Sequence, residues 1–437
     1  MRVALAVCTV GLLAAVVAYT EDTPAQILFN KVRGKVLDNI ARVPRYTCVE
    51  TIDRAVYHPQ YGSRPSQCAG LIAARAALTS PGLLVWHDRL RLDVAVGKDS
   101  EMFAWAGASS FETGAMNDLA ASGATGSGAF SSFLSSVFGN DAEKFRYVGE
   151  RDTPLGHLST YEYEVPLAKS HYQYTTGNDT TRIIGYHGSF YVVPATASVR
   201  RLEVAADRFP GGSACRVVDT MDYTTVKIGS GEFTLPEVST MDVLYASGDQ
   251  AINETHFSGC REYVGESTIR FDDPDDTASP AAAARAALKA LPPKTRIRVK
   301  IDPPVNTATA AAGDAIVGVV DREVKEKGQV VVRTTDKLHG RLLRLEQDMV
   351  PTPKWTVVIR FDSIERDGVI QPVTFKPVDD GDRSPSPGAF TGRRGGIAAS
   401  PAPAASLKRP AGAGIFILPV AGNLVLDQKF RSEWETK

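Results

Sequence analysis

The sequence predicts a mainly β, α+β protein. A curved antiparallel sheet, or half-barrel, is covered by an N-terminal helix and a helical insertion, and a smaller all-β, barrel-like domain follows. Three observations carry this reading. Apolar residues recur at every second position through residues 89–96, 161–165 and 202–204, the pattern of antiparallel strands with one wet face. A single amphipathic stretch, 24–41, stands ahead of them with Phe29, Val32, Val36 and Ile40 at three- and four-residue steps. After an acidic, proline-containing break, a second alternating block begins at Arg296, with Ile297, Val299 and Ile301 between basic residues. The length of 437 residues exceeds what one core usually organises, which agrees with two domains.

The elements follow in order. Thr23-Pro24 starts the first helix and Val43-Pro44 stops it. A strand rich in Thr, Val, Ile and Tyr occupies 46–57, and residues 58–82 form a long loop with a short Ala-rich helix near 71–78. Residues 90–96 and 101–105 form a hairpin around Gly97-Lys98-Asp99-Ser100. Residues 115–139 interrupt the strands. They are rich in Ala, Ser and Gly, and Phe130, Phe133, Leu134, Val137 and Phe138 recur at helical spacing. Further strands are expected near 145–150, 182–193, 215–228, 241–246 and 259–271, so the first domain spans 24–271. Residues 272–293 read as an acidic, Ala-rich linker. The second domain spans 294–377 and is completed by 414–433, across a Pro/Ser/Gly/Arg-rich segment, 379–413, that is expected to be disordered.

Composition limits the functions open to the chain. Lys plus Arg total 49 and Asp plus Glu total 50, a net charge of −1, which argues against a dedicated nucleic-acid binder. Arg2 followed by an apolar run over 3–17 reads as a signal peptide, residues 1–18, with an uncleaved anchor as the alternative. Cys8 ends a Leu-Ala-Val-Cys string of the kind lipidated in bacterial lipoproteins, although Val7 is bulkier than that chemistry prefers. With the signal removed no transmembrane segment is expected, and the protein is placed in the periplasm, on the envelope or outside the cell. Cys48, Cys68, Cys215 and Cys260 then remain, an even count that fits disulfides in an exported chain. Three pairings are open, and sequence proximity favours Cys48–Cys68 with Cys215–Cys260.

The order of export signal, helix 24–41, long antiparallel meander and helical insertion at 115–139 resembles periplasmic lipoprotein carriers of the LolA/LolB type. The wider set includes many uncharacterised exported bacterial proteins. The resemblance covers residues 24–271 and lies in topology, so no site residue is carried over. It implies an incomplete β-barrel that wraps helices around an apolar cavity, with a lipid or acyl chain as ligand. The cysteines, the 58–82 loop and the second domain depart from that pattern. Thr309 to Asp314 (TAAAGD) and Leu338-His339-Gly340 make the second domain similar to small β-barrel modules of exported bacterial proteins.

Catalytic templates are absent: there is no Gly-x-Ser-x-Gly elbow and no His-Glu-x-x-His helix. Gly123 to Gly128 resembles a phosphate loop without its Gly-Lys-Ser/Thr ending and reads as a helix connection. Glu162 and Glu164 share a strand face at roughly the spacing of glycosidase carboxylates, on the solvated side. Glu101 and Asp93 invite the same test. His171 and His187 flank a hairpin but lack a third metal ligand, and the remaining histidines, His58, His87, His157, His256 and His339, are scattered. Asn178 and Asn253 begin glycosylation sequons that matter only in a eukaryotic secretory pathway. No cofactor and no metal is expected. The aromatic-rich stretch gives a candidate ligand groove of Tyr161, Tyr163, Tyr172, Tyr174 and Phe190, with Phe130 and Phe133 from the insertion; sheet packing accounts for the same residues. The sequence therefore points to a non-enzymatic envelope protein that binds an apolar or amphipathic ligand. The alternatives are a structural or partner-binding envelope module with a filled core, and a hydrolase without a motif, using Glu162, Glu164 or His171.

Overall fold

The computed structural model describes residues 23–60, 65, 67–97, 101–108, 111, 119–120, 123–126, 129–175, 181–207, 209, 214–263, 291–378 and 410–437. Residues 1–22, with the expected signal segment and Cys8, the Asn178 sequon and most of 272–293 and 379–413 lie outside the described residues.

The first helix, α1 (Pro24–Arg42), is capped by Thr23, whose side chain accepts a hydrogen bond from Gln26 N at 3.2 Å. Its apolar stripe of Phe29, Val32 and Val36 is buried. Strand β1 (Tyr46–His58) is followed by α2 (Cys68–Ala76), then by the hairpin β2 (Leu83–Val96) and β3 (Glu101–Trp105). The insertion contributes α3 (Ser132–Phe138). Eight of the next nine strands continue the meander or decorate it: β4 (Glu143–Thr153), β5 (Gly156–Val165), β6 (Gln173–Thr175), β7 (Thr181–Ile183), β8 (Tyr186–Val193), β9 (Ser198–Ala206), β10 (Ala214–Ile228) and β11 (Gly231–Tyr245). The ninth, β12 (Gln250–Glu262), returns beside β1.

The main strands lie in the order β3-β2-β1-β12-β11-β10-β9-β8-β5-β4, and every neighbouring pair is antiparallel. Among the described residues β3 and β4 do not pair, so the sheet stays open as an incomplete barrel. Helices α1 and α3 cover its inner face. Val32, Leu134, Val137 and Phe138 pack there with Tyr161, Tyr163 and Phe190 in one continuous core. Arg33 fastens the two helices: its Nε donates to Phe138 O at 2.9 Å and its Nη2 to Gly139 O at 2.7 Å, which satisfies carbonyls at the end of α3.

The second part contains β13 (Arg296–Ile301), β14 (Val305–Asn306), β15 (Ala315–Val320), β16 (Val324–Glu326), β17 (Gln329–Val332), β18 (Lys337–Asp348) and β19 (Lys354–Arg366). It continues through β20 (Val369–Pro372), β21 (Phe375–Pro377), β22 (Gly414–Leu418), β23 (Val425–Leu426) and β24 (Arg431–Thr436). Strands β22 and β20 share one side of β19, and β18, β15, β13, β24 and β21 follow on the other. Its own core centres on Ile297, Leu342, Ile359, Phe361 and Trp434.

The two parts share a sheet. Residues 86–88 of β2 pair with 346–348 of β18, Leu90 bridges Ala312, and 92–96 pair with β3. One edge of β2 is thus covered by three different pieces of chain. Arg91 N donates to Ala312 O at 2.7 Å and Ala312 N to Arg89 O at 2.8 Å, so the Thr309–Asp314 turn is part of the ladder.

The cysteines pair as Cys48–Cys260 and Cys68–Cys215, against the pairing that proximity favours. The reason is the closure of the meander. Strand β12 lies beside β1 with Thr47 opposite Arg261, which sets Cys48 against Cys260 across the ladder. Helix α2 packs on β10, where Leu71, Cys215 and Leu244 form a small cluster.

Candidate functional site

Strand alternation assigns β1 an inner row of Tyr46, Cys48, Glu50, Ile52, Arg54 and Val56. Two members of this row are charged. Arg54 lies directly opposite Asp88 on β2, and both side chains are buried. The pair is bidentate: Arg54 Nε donates to Asp88 Oδ1 at 2.8 Å and Nη2 donates to Oδ2. The guanidinium lies 5.4 Å from the Trp86 ring centroid and also donates to Ala124 O. Burial pushes the Asp88 carboxyl upward, and Arg54 opposes that shift.

Glu50 has no such partner. It is 4% exposed, and its Oε2 has no hydrogen-bond partner among the described residues. It borders a cavity of about 50 Å³ on the inner face of the sheet. Glu101, Arg54, Asp219, Ser239, Asn253 and Thr255 supply polar lining, and Ile52, Phe130, Phe133, Met221, Met241 and Phe257 supply apolar lining. Burial, reinforced by the charge of Glu101, pushes Glu50 up to about 8. Enclosure likewise pushes Asp219 up to about 7, although Tyr172 Oη donates to its Oδ2 at 3.1 Å. The space is that of a few water molecules or one small head group.

The roof of the cavity is the described part of the insertion. Asn253 Nδ2 donates to Ala124 O at 2.8 Å, and Tyr223 Oη donates to Ala129 O at 3.1 Å. Gly123 has φ +78°, and a Cβ there would lie 3.2 Å from both Trp86 and Arg54. Glycine suits this position because a side chain would be strained at this φ and would press on the Trp86 ring. The Gly123–Gly128 stretch therefore serves close packing over the sheet where its residues are described.

The aromatic groove residues divide. Phe130 and Phe133 line the cavity, and Tyr172 reaches it through Asp219. Tyr161 stacks on Phe190 at 5.0 Å, and both, with Tyr163, are buried in the core under α1. Tyr174 packs edge-on to Phe209 at 5.0 Å. Glu162 and Glu164 face outward and pair with Arg146 and Lys144. His187 pairs with Asp207 at 2.8 Å and His171 approaches Asp141 at 3.9 Å, so the structure does not bring these two histidines together. Among the described residues no group of three His, Cys, Asp or Glu side chains is placed to hold a metal ion, and no helix is long and apolar enough to cross a membrane. A second hollow of about 280 Å³ lies beside Arg360, Asp362 and Phe375, and no unpartnered buried polar group lines it among the described residues.

The chain is similar to a solved LolA superfamily structure and to two others. An outer membrane lipoprotein-sorting protein domain from Vibrio parahaemolyticus aligns at TM-score 0.26 and 10% identity, over 55% of this chain and 95% of that one. A LolA superfamily protein from Nitrosomonas europaea aligns at TM-score 0.24 and 11% identity, over 57% and 97%. A DUF1329 family protein from Desulfovibrio piger aligns at TM-score 0.26 and 11% identity, over 56% and 96%. Overlap of this degree leaves both site and function to be read from the chain itself. No family model matches the sequence, and no curated protein matches it.

Sequence reasoning missed Glu50, Arg54, Asp88 and Asp219 as a group. The signal was phase. Glu50 and Arg54 keep step with Cys48 and Ile52, and Asp219 keeps step with Val217 and Met221, so apolar neighbours two residues away carry them inward.

Proposed function

We propose that the chain is an exported, non-enzymatic binding protein whose half-barrel takes a small amphipathic ligand in the cavity under the insertion. The observation that carries this is the lining. Methionine and phenylalanine side chains line the cavity together with three carboxylates, and Glu50 Oε2 is buried with no hydrogen-bond partner among the described residues. Such a surface matches a ligand with both an apolar and a polar end. The two disulfides support export, because such bonds persist in oxidising compartments. The volume limits the part of the ligand held inside to a head group or a short chain. Isothermal calorimetry with octanol, a neutral amphiphile with a small head group, tests this. Saturable binding that is lost on Ser239→Trp, which fills the cavity, is expected. Binding that is absent, or unaffected by that substitution, overturns it.

A second reading, a partner-binding envelope module, is favoured by the packed core beneath α1. Under it the carboxylates only position the insertion, and material extracted from the purified protein into organic solvent would contain no bound amphiphile by mass spectrometry.

A further inference from the structure

The geometry points to a cationic head group, a protonated amine on a short apolar chain, as the ligand chemistry of this cavity; this rests on the binding reading above. Glu50, Glu101 and Asp219 all border the same small space. Arg54 is the cation at its wall, and its charge is already matched by the bidentate pairing with Asp88. Glu50 borders the cavity at 4% exposure and its Oε2 has no partner among the described residues, which leaves an unmatched buried carboxyl in the cavity wall. An unmatched buried carboxylate is costly, and a donor that brings positive charge offsets that cost. A metal ion does not suit the site, since these carboxylates do not converge into a metal-holding group. An ammonium needs only one or two oxygens at hydrogen-bond distance and presents three donors of its own. Met221, Met241 and Phe133 then receive the carbon chain.

The charge state adds a second readout. The titratable and charged groups that share the cavity with Glu50 are Arg54 on β1, paired with Asp88 on β2, Glu101 on β3 and Asp219 on β10. The lining residues from β11 and β12, Ser239, Met241, Asn253, Thr255 and Phe257, do not titrate. Burial holds Glu50 at about 8 and Asp219 at about 7, so near neutrality without a ligand Glu50 keeps its proton and Asp219 is about half protonated. A cation favours their charged forms and displaces those protons.

Isothermal calorimetry of the full chain with octylammonium, octanoate and octanol, at pH 6 and pH 8.5 in two buffers of different ionisation heat, tests the inference. Octylammonium is expected to bind at least tenfold more tightly than octanoate, to tighten about tenfold from pH 6 to pH 8.5, and to release protons at pH 7. Glu50→Gln is expected to weaken octylammonium about tenfold and to leave octanol within twofold. Asp219→Asn, which alters a second wall residue, is expected to weaken it in the same direction and serves if Glu50→Gln does not fold. Octanoate or octanol binding as tightly as octylammonium overturns the cationic assignment and leaves the binding reading standing. Absence of binding by all three overturns both.

Discussion

Glu50 shows how one side chain sets a pH dependence. Burial raises its folded-state value to about 8 from an ordinary 4.5. Between those values the unfolded chain has released the proton and the folded chain still holds it. The folded state is therefore favoured fully below about 4.5, and that contribution is lost as pH rises through about 8. Glu50→Gln removes the dependence. Its stability relative to the unsubstituted chain is expected to rise between pH 5 and pH 9, by on the order of 4 kcal/mol at the upper end. Urea midpoints at the two pH values measure this, and parallel shifts of both proteins would count against it. Arg54 behaves oppositely, because its partner is already in place. Arg54→Met strands Asp88 in the interior and is expected to cost about 3–5 kcal/mol, most of it recovered in the double variant Arg54→Met/Asp88→Leu. Denaturant titration of the single and double variants checks the recovery.

Among the elements, α1 and α3 depend on each other through Arg33 and through the burial of Val32 against Phe138. Phe138 is 0% exposed, so Phe138→Ala is expected to cost about 3–5 kcal/mol, measurable as a lowered urea midpoint. These helices also show what the sequence makes legible. The apolar steps of α1 and its Thr23-Pro24 start appear as drawn from spacing, and the alternation at 89–96 marks β2 directly, because both signals are local. The cavity was not legible in the same way. Glu50 and Asp219 look like solvated residues when read by type, and only their phase within apolar rows turns them inward. Which strands then bring their carboxylates to one cavity is a matter of long-range register, β1 against β12 and β10 against β11. The cysteine pairing failed for the same reason. Nearness in sequence says nothing about a strand that returns 212 residues later beside its partner.

For the molecule as a whole, those distant pairings change the energetics. The Cys68–Cys215 link closes a loop of 147 residues. By chain entropy such a loop is worth about 5 kcal/mol, against roughly 3–4 for the short loops that proximity suggested. Cys68→Ser/Cys215→Ser is expected to lower Tm clearly in differential scanning calorimetry, and an unchanged Tm would remove the bond from the stability account. The shared edge of β2 has a consequence of another kind. A chain cut after residue 263 would keep the ten main strands of the first part and the core under α1. It would also lose the cover that β18 and Ala312 give to residues 86–90 of β2. Bare ladder groups of that sort recruit strands from other molecules. The truncated chain is expected to self-associate with rising concentration on size-exclusion chromatography, more than the full-length chain does. The second part thus also shields an edge that its neighbour leaves unfinished from other copies of the chain.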